Sequence, residues 1–411
     1  MAEPFPREGL PLEEARQRVL AALAPLAATE RLLLAACLGR VSAEACIAPE
    51  AVPGFRASIM DGYAIAEAAA PAAGARWRLV GRSAPGAPFA GRLETGEAIR
   101  ILTGAPLPQG AERVLPQELV AATEGALELR GEAGANPWIR SAEEEAAPGQ
   151  ELLAAGVRLG PADLGRLAGC GVAELTVRQQ PRLGLLISGD ELVPAGEPRP
   201  PGAIWESNGT LLAALLERLG YGVAERRVVA DEPAALADAL EQLAAGCDVV
   251  VSTGGVSAGD SDWIRPLLAE RGAVDFWKLF LKPGRPFAFG QLRGRPFFGL
   301  PGNPVAAAIT ALQLLWPALQ ALEGAEPEVL PRLRVRLATS LRRGAGRPEL
   351  ARARLQVGPA GELLALVEGS QASSRIGSLQ GADLLLEIPA ELGALEAGTE
   401  LWAQLLRRAV F

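Results

Sequence analysis

Strand and helix signals alternate from residue 181 to about residue 323, and this alternation constrains the chain more than any other feature. "PRLGLLISG" is a short apolar run. "SNGTLLAALLERLG" follows with leucines at helical spacing, Ser207 or Asn208 as cap and Gly220 as stop. "GVAERRVVA", "DEPAALADALEQLAAG", "CDVVVSTGG" and "SDWIRPLLAERG" continue as strand, helix, strand and helix, and "NPVAAAITALQLLWPALQAL" is a last helix. Short loops between alternating elements predict a doubly wound α/β unit with a largely parallel sheet. Ligands of such sheets bind beyond the carboxyl ends of the strands. The places to look are therefore "SGDE" (188–191), Asp231, "STGGVSAGDSD" (252–262) and "PGNP" (301–304).

Those strand ends carry Asp190, Glu191, Asp231, Asp260 and Asp262 beside a hydroxyl and amide cluster from Ser252 through Gly254 and Gly255 to Ser257. Paired glycines let backbone N–H groups approach a phosphate with no Cβ in the way, and the helix that follows favours an anion at its N-terminus. Asp260 and Asp262 can instead cap that helix. Carboxylates repel a phosphate, so acids next to a phosphate loop imply a bridging cation. The chain has no histidine, which disfavours zinc, copper and haem and leaves a hard cation among oxygen ligands. Mg²⁺ held by Asp231 and Asp262, with waters, is the expectation.

Lysine is nearly as rare. Of 40 basic residues only Lys278 and Lys282 are lysine, four apart in "KLFLKPGRPFAFG". An ammonium is a compact point charge where a guanidinium is a planar fork, so their survival together points to a site that needs the compact cation. If 275–281 is a strand, both lysines share one face, Pro283-Gly284 turns the chain, Arg285 adds a fork and Pro286 shapes the wall. The ligand expected is a phosphate or pyrophosphate compound, with a second small oxyanion near the lysines.

The rest of the 411 residues requires further units. Residues 9 to 47 read as helices, including "TERLLLAACLGRVSAEA", and "GPADLGRLAGCGVAEL" (160–175) returns to helix. Residues from about 55 to 140 are short β-rich segments between Gly/Pro turns, and those beyond about 328 read as a small β-unit. A net charge of −8 and a pI near 5.1 argue against nucleic-acid binding. No apolar stretch reads as membrane-spanning and the start lacks a secretory signal. Four cysteines without a CxxC pair suit a reduced, cytoplasmic chain.

"SIMDGYA" (58–64), "ILTGAPLPQGAERV" (101–114), "LISGDELVPAG" (186–196), "STGGVSAGDSDW", "KPGRPFAFG" (282–290) and "GLPGNPVAA" (299–307) occur in this order, and together they resemble the MoeA family of molybdopterin molybdenumtransferases, related to the E domain of gephyrin. The resemblance implies four units. These are an elongated helical dimerisation domain (1–51 plus 141–179), an inserted β-rich domain (52–140), a molybdopterin-binding α/β domain (180–327) and a C-terminal β-barrel (328–411). It also implies a homodimer whose active cleft is shared between subunits. The implied reaction joins adenylylated molybdopterin with molybdate and releases AMP with the help of Mg²⁺.

Carried over by motif, Asp61 and Thr103 would reach across the dimer, and Glu191, Asp231 and Asp262 match acids of the family's site. Lys278, Lys282 and Arg285 match its basic cluster, and Arg352 and Ser373 match positions implicated in holding molybdate. The "PGNP" turn (Pro301, Gly302, Asn303, Pro304) completes the expected cleft. In "RSAEEEAAPG", Glu143 stands where the family has glycine and Glu145 where it has aspartate, and Ala306 replaces a serine. These departures keep one alternative in play, a molybdopterin carrier or scaffold with impaired catalysis; the other alternative, a molybdopterin adenylyltransferase, rests on a similar α/β module, and the inserted and barrel domains argue against it. A partner adenylyltransferase and recipient molybdoenzymes are the other expected partners.

Overall fold

The computed structural model of the chain describes residues 8–255 and 263–406. The α/β unit holds one six-stranded sheet. Its strands are β1 (Leu183–Ser188), β2 (Val223–Val229), β3 (Val249–Thr253), β4 (Gly272–Trp277), β5 (Ala288–Leu292) and β6 (Arg295–Leu300), in the order β2-β1-β3-β6-β5-β4. β1 runs parallel to β2 and β3, and β3 to β6, while β4 and β5 form an antiparallel edge. Every residue of β1 and β3 is buried, because both faces are covered. Leu183, Leu185 and Ile187 pack with helices α1 (Asn208–Arg218) and α4 (Pro304–Glu323). Leu186 and Val250 pack on the other face with α2 (Pro233–Gly246) and α3 (Ile264–Arg271). The multidomain α/β class expected from the alternation is the one the chain adopts.

Strand order reverses between β1 and β3: the chain leaves β1 to build β2 on one side, then crosses to build β3 on the other. Connections diverge there and leave a crevice at the carboxyl ends.

α4 corrects one sequence reading. It is long and apolar enough to cross a membrane, yet 94% of that window is buried inside the protein, so it serves as the core helix. Its middle turn, Ala311–Leu315, is wound as a π-helix. Arg16 donates to the Gln313 carbonyl at 3.1 Å, and the Gln313 side chain donates to Gln404 at 2.7 Å. α4 thus ties the helix Leu12–Ala21 and the C-terminal unit to the sheet.

The inserted segment forms a second six-stranded sheet, ordered Arg113–Pro116, Gly62–Ile65, Glu97–Ile101, Arg76–Ser83, Ala126–Leu129 and Val120–Thr123. The C-terminal segment closes a barrel from Arg332–Leu337, Leu363–Leu366, Glu349–Val357, Leu384–Ile388 and Glu400–Leu405. The helical reading of residues 28–45 is overturned. Thr29–Leu33 is a strand paired antiparallel with Glu174–Arg178, and Cys46–Ile47 pairs with Glu151–Leu153. Leucine and alanine runs favour helix by local preference, and ladder partners more than a hundred residues away overrode it. Helix 160–175 is likewise shorter, Pro161–Gly169. All four cysteines are free, with Cys37, Cys170 and Cys247 buried.

A buried polar cluster joins these units. Arg158 donates to Tyr221 Oη and Glu323 Oε2 at 2.7 Å each, and the Tyr221 hydroxyl donates to the same oxygen at 2.8 Å. Burial pushes the Tyr221 phenol well above its usual range, so it stays a donor. Removing the carboxylate would strand the largely buried Arg158 charge, which costs about 3–5 kcal/mol. Glu323→Ala should therefore lower urea stability by about that amount and accelerate amide exchange around residues 322–326. A loss below about 1 kcal/mol would contradict this assignment.

Candidate active site

The crevice at the β1/β3 reversal opens into a cleft of about 910 Å³. Three strand ends build its floor. Ser188 ends β1 and Glu191 follows it, Asp231 follows β2, and Thr253, Gly254 and Gly255 close β3. The Pro301–Pro304 turn leads from β6 into α4. The turn Lys282–Pro286 forms a further wall, and the barrel adds Arg347, Gln371 and Ser373.

Glycine is required where β3 ends. Gly254 (φ +87°) passes so close to β1 that a Cβ would lie 2.6 Å from the Ser188 carbonyl oxygen. Gly255 (φ +62°) would place its Cβ 2.8 Å from Ile264 Cγ1. Backbone therefore lines the cleft where side chains would fill it.

The acids do different jobs. The Asp231 N–H donates to Asp190 Oδ1 at 2.9 Å, so Asp190 braces the loop and is not among the lining residues. Burial pushes the Asp231 carboxyl up. The nearby Ser188 hydroxyl opposes that rise, while the Asp190 and Glu191 charges add to it. Ser188 Oγ and Asp231 Oδ1 are nonetheless buried with no completed hydrogen bond, as are Thr253 Oγ1 and Asn208 Oδ1. Four unpartnered polar atoms along one cleft mark a surface built for a polar ligand.

The basic cluster is rearranged from the sequence reading. β4 ends at Trp277, and Lys278 has φ +74°, so strand alternation does not carry from Lys278 to Lys282. Lys282 and Arg285 line the cleft; Lys278 is not among the described lining residues. Lys282 is docked on the barrel. Its N–H donates to the Pro348 carbonyl at 2.9 Å, and its ammonium lies 3.1 Å from Glu349 Oε1, a buried carboxylate that Arg343 meets at 3.2 Å. Arg347, a cation the motifs did not flag, lines the same wall.

The two barrel residues part company. Ser373 lines the cleft, and its carbonyl accepts the Val305 N–H at 3.1 Å. Arg352 is buried beneath that loop, donating to Ser378 Oγ at 3.1 Å and the Ala372 carbonyl at 3.3 Å. It braces the lining loop and borders a separate pocket of about 200 Å³ with Arg354 and Arg375. Ser252 is buried behind the lining, and Ala306 lines the cleft as an apolar spot. Glu145 pairs with Arg166 at 2.8 Å, away from the cleft. Asp61 and Thr103 meet each other on the inserted unit and are not among the residues that line the cleft. The Thr103 N–H and hydroxyl both donate to Asp61 Oδ1, at 2.7 and 2.8 Å, and hold that carboxyl below its ordinary range. Ser257, Asp260 and Asp262 lie outside the described residues. The sequence reading missed Trp205 and the cleft-facing role of Asn208, which it took only as a helix cap. Ser207 occupies the N-cap position of α1 without a side-chain bond to the helix; Glu206 instead accepts the Gly209 N–H at 2.7 Å and pairs with Arg226.

Among the described residues no three His, Cys, Asp or Glu side chains converge to cage a metal. Asp231, with a buried free Oδ1 beside Glu191, suits a hydrated magnesium ion, which needs only one or two carboxylates and keeps its waters.

The fold and cleft define a multidomain α/β protein with a polar cleft, lined by both acidic and basic side chains, at a strand-order reversal. The comparisons narrow the class. Residues 10–171 match the model for the MoeA N-terminal region (domain I and II), 184–321 that for a probable molybdopterin binding domain, and 334–406 that for the MoeA C-terminal region (domain IV). The molybdopterin molybdenumtransferase of Haemophilus influenzae is 34% identical over 95% of this chain and 96% of its own length. Molybdopterin molybdenumtransferase 2 of Mycobacterium tuberculosis is 32% identical over 94% and 97%. The solved molybdopterin biosynthesis MoeA protein of Pyrococcus horikoshii is 27% identical, with a TM-score of 0.80 over 97% of this chain and all of that one. The chain belongs to the MoeA family.

Because burial raises the Asp231 pKa, its contribution to stability is present at low pH and lost as pH rises through that raised value. In metal-free buffer at pH ~7, where an ordinary aspartate is ionised, Asp231→Asn should melt above the wild type. The gap should close as pH falls through the carboxyl range. A variant that melts lower at neutral pH would contradict the electrostatic reading.

Proposed function

We propose that this chain is an enzyme of molybdenum cofactor biosynthesis that inserts molybdenum from molybdate into adenylylated molybdopterin, with release of AMP. The observation that carries this reading is one cleft with acids at the ends of β1 and β2 and cations on the β4–β5 connection. The span from β1 to β5 is roughly 14 Å at one strand spacing per step. That suits a substrate with a phosphoanhydride at one end and an oxyanion to be captured at the other.

The chain's own groups supply electrostatic positioning and no covalent nucleophile is needed. The amides around Gly254 and Gly255 receive phosphate oxygens, and Lys282, Arg285 and Arg347 hold the oxyanion. Asp231, with Glu191 nearby, would hold magnesium, which when bound neutralises charge on the phosphoanhydride. Asp61 and Thr103, preset by their mutual hydrogen bonds, enter the cleft of a second subunit in a homodimer. Exposed Leu33, Leu38 and Ile47 on the two-segment unit support such an apolar contact. The setting is the reduced cytoplasm, in keeping with the free cysteines.

A second reading, a molybdopterin carrier, is favoured by Ala306 in the cleft and by Glu145 tied to Arg166. Measuring AMP release from adenylylated molybdopterin with and without molybdate separates the two. Molybdate-dependent AMP is expected from the enzyme; tight binding without AMP would establish the carrier, and adenylylation from ATP would establish an adenylyltransferase.

Lys282→Ala should raise the KM for molybdate about tenfold or more, because a charge-assisted contact is lost and the buried Glu349 carboxylate is left facing the anion. Lys282→Arg should recover only part of that loss. An arginine variant equal to the wild type would refute the requirement for a compact cation.

A further inference from the structure

The cleft carries one feature that phosphate, cation and oxyanion do not use. Trp205 and Ile204 line it, yet they remain 50% and 48% exposed. Trp205 is held in place: Arg199 lies over its ring at 4.8 Å, and its indole N–H donates to the Glu197 carbonyl at 3.0 Å. The strand Ile204–Trp205 pairs with Leu192–Val193, immediately after Glu191. An aromatic surface fixed in this way loses little freedom when a flat ligand settles on it.

Three residues on, Asn208 also lines the cleft and is only 8% exposed. Its Nδ2 donates to the Gly302 carbonyl at 2.7 Å, which sets the amide's orientation and commits one of its two N–H groups. Oδ1 is left buried without a partner. A buried acceptor in that state calls for an N–H donor. Glu206, between the two residues, is already engaged, its two oxygens meeting the Gly209 N–H and Arg226.

We propose that Trp205 and Asn208 form the seat for a planar nitrogen heterocycle, its ring stacked on the indole and an edge N–H or amino group donating to Asn208 Oδ1. This deepens the function proposed above and rests on it, since adenylylated molybdopterin carries two such heterocycles, pterin and adenine. Both bear an exocyclic amine, so the shared chemistry is that of an aminated flat ring.

Isothermal titration of neopterin and of AMP into the full-length protein tests the seat. Trp205→Ala should weaken one of the two probes about tenfold, the scale of an aromatic stacking contact. Trp205→Phe keeps a ring but loses the bond to Glu197, and it should retain most of the affinity. Asn208→Leu should weaken the same probe as Trp205→Ala, and the probe affected identifies the heterocycle. The proposal is overturned if Trp205→Ala binds both probes like the wild type. It is equally overturned if Trp205→Phe falls as far as Trp205→Ala, because the effect would then belong to the hairpin and not to the ring. It also fails if the wild type binds neither probe while turning over its substrate. Trp205-dependent binding in a protein that releases no AMP with molybdate would uphold the seat and sink the reaction proposed above.

Discussion

The contact between the end of β1 and the glycine turn after β3 governs the site. The Ser188 carbonyl lies where any side chain at Gly254 would have to go. Two parallel strands whose connections diverge can approach this closely only if one of them ends in bare backbone. That approach leaves the Ser188 and Thr253 hydroxyls buried without partners and puts backbone on the surface of the cleft. β2 adds its acid loop on one side and β6 adds the Pro301–Pro304 turn on the other, so a single topological reversal sets the positions of the remaining groups.

Charge is distributed along this rim with a clear division of labour. At the acidic end, Asp190 spends an oxygen on the Asp231 backbone, and Asp231 keeps a free oxygen and a raised pKa. At the basic end, Lys282 is anchored by the barrel through backbone and through Glu349, whose charge is shared with Arg343. The basic wall of the cleft is therefore complete only where barrel and sheet meet. This gives the closed barrel, the π-turn of α4 and the Gln313–Gln404 bond a common purpose, which is to hold the barrel edge against the sheet rim.

The parallel sheet and its strand ends were legible because buried strands and amphipathic helices of ordinary length leave unambiguous periods. Glu191, Asp231, Gly254, Gly255 and the Pro301–Pro304 turn follow from that reading, and all line the cleft. The lysine pair was not legible as geometry, since one positive φ at Lys278 cancels the alternation that would align it with Lys282. Arg352 matched a motif yet acts from beneath the loop, because burial and hydrogen-bond partners are not written in spacing. The segment 29–33 reads as helix by local preference until its partner at 174–178 is known. Arg347, Glu349 and Trp205 become visible only when distant segments are brought together.

The central claim is that one cleft receives a phosphate at its acidic end and a metal oxyanion at its basic end. The most direct test is a crystal of the full-length protein soaked with AMP and molybdate, with molybdenum located by anomalous scattering. The account predicts molybdenum within contact distance of the Lys282–Arg285 turn and the AMP phosphate beside the Gly254 turn and Asp231. Molybdenum confined to the small pocket around Arg354 and Arg375, or AMP bound away from the β1/β3 reversal, would contradict it.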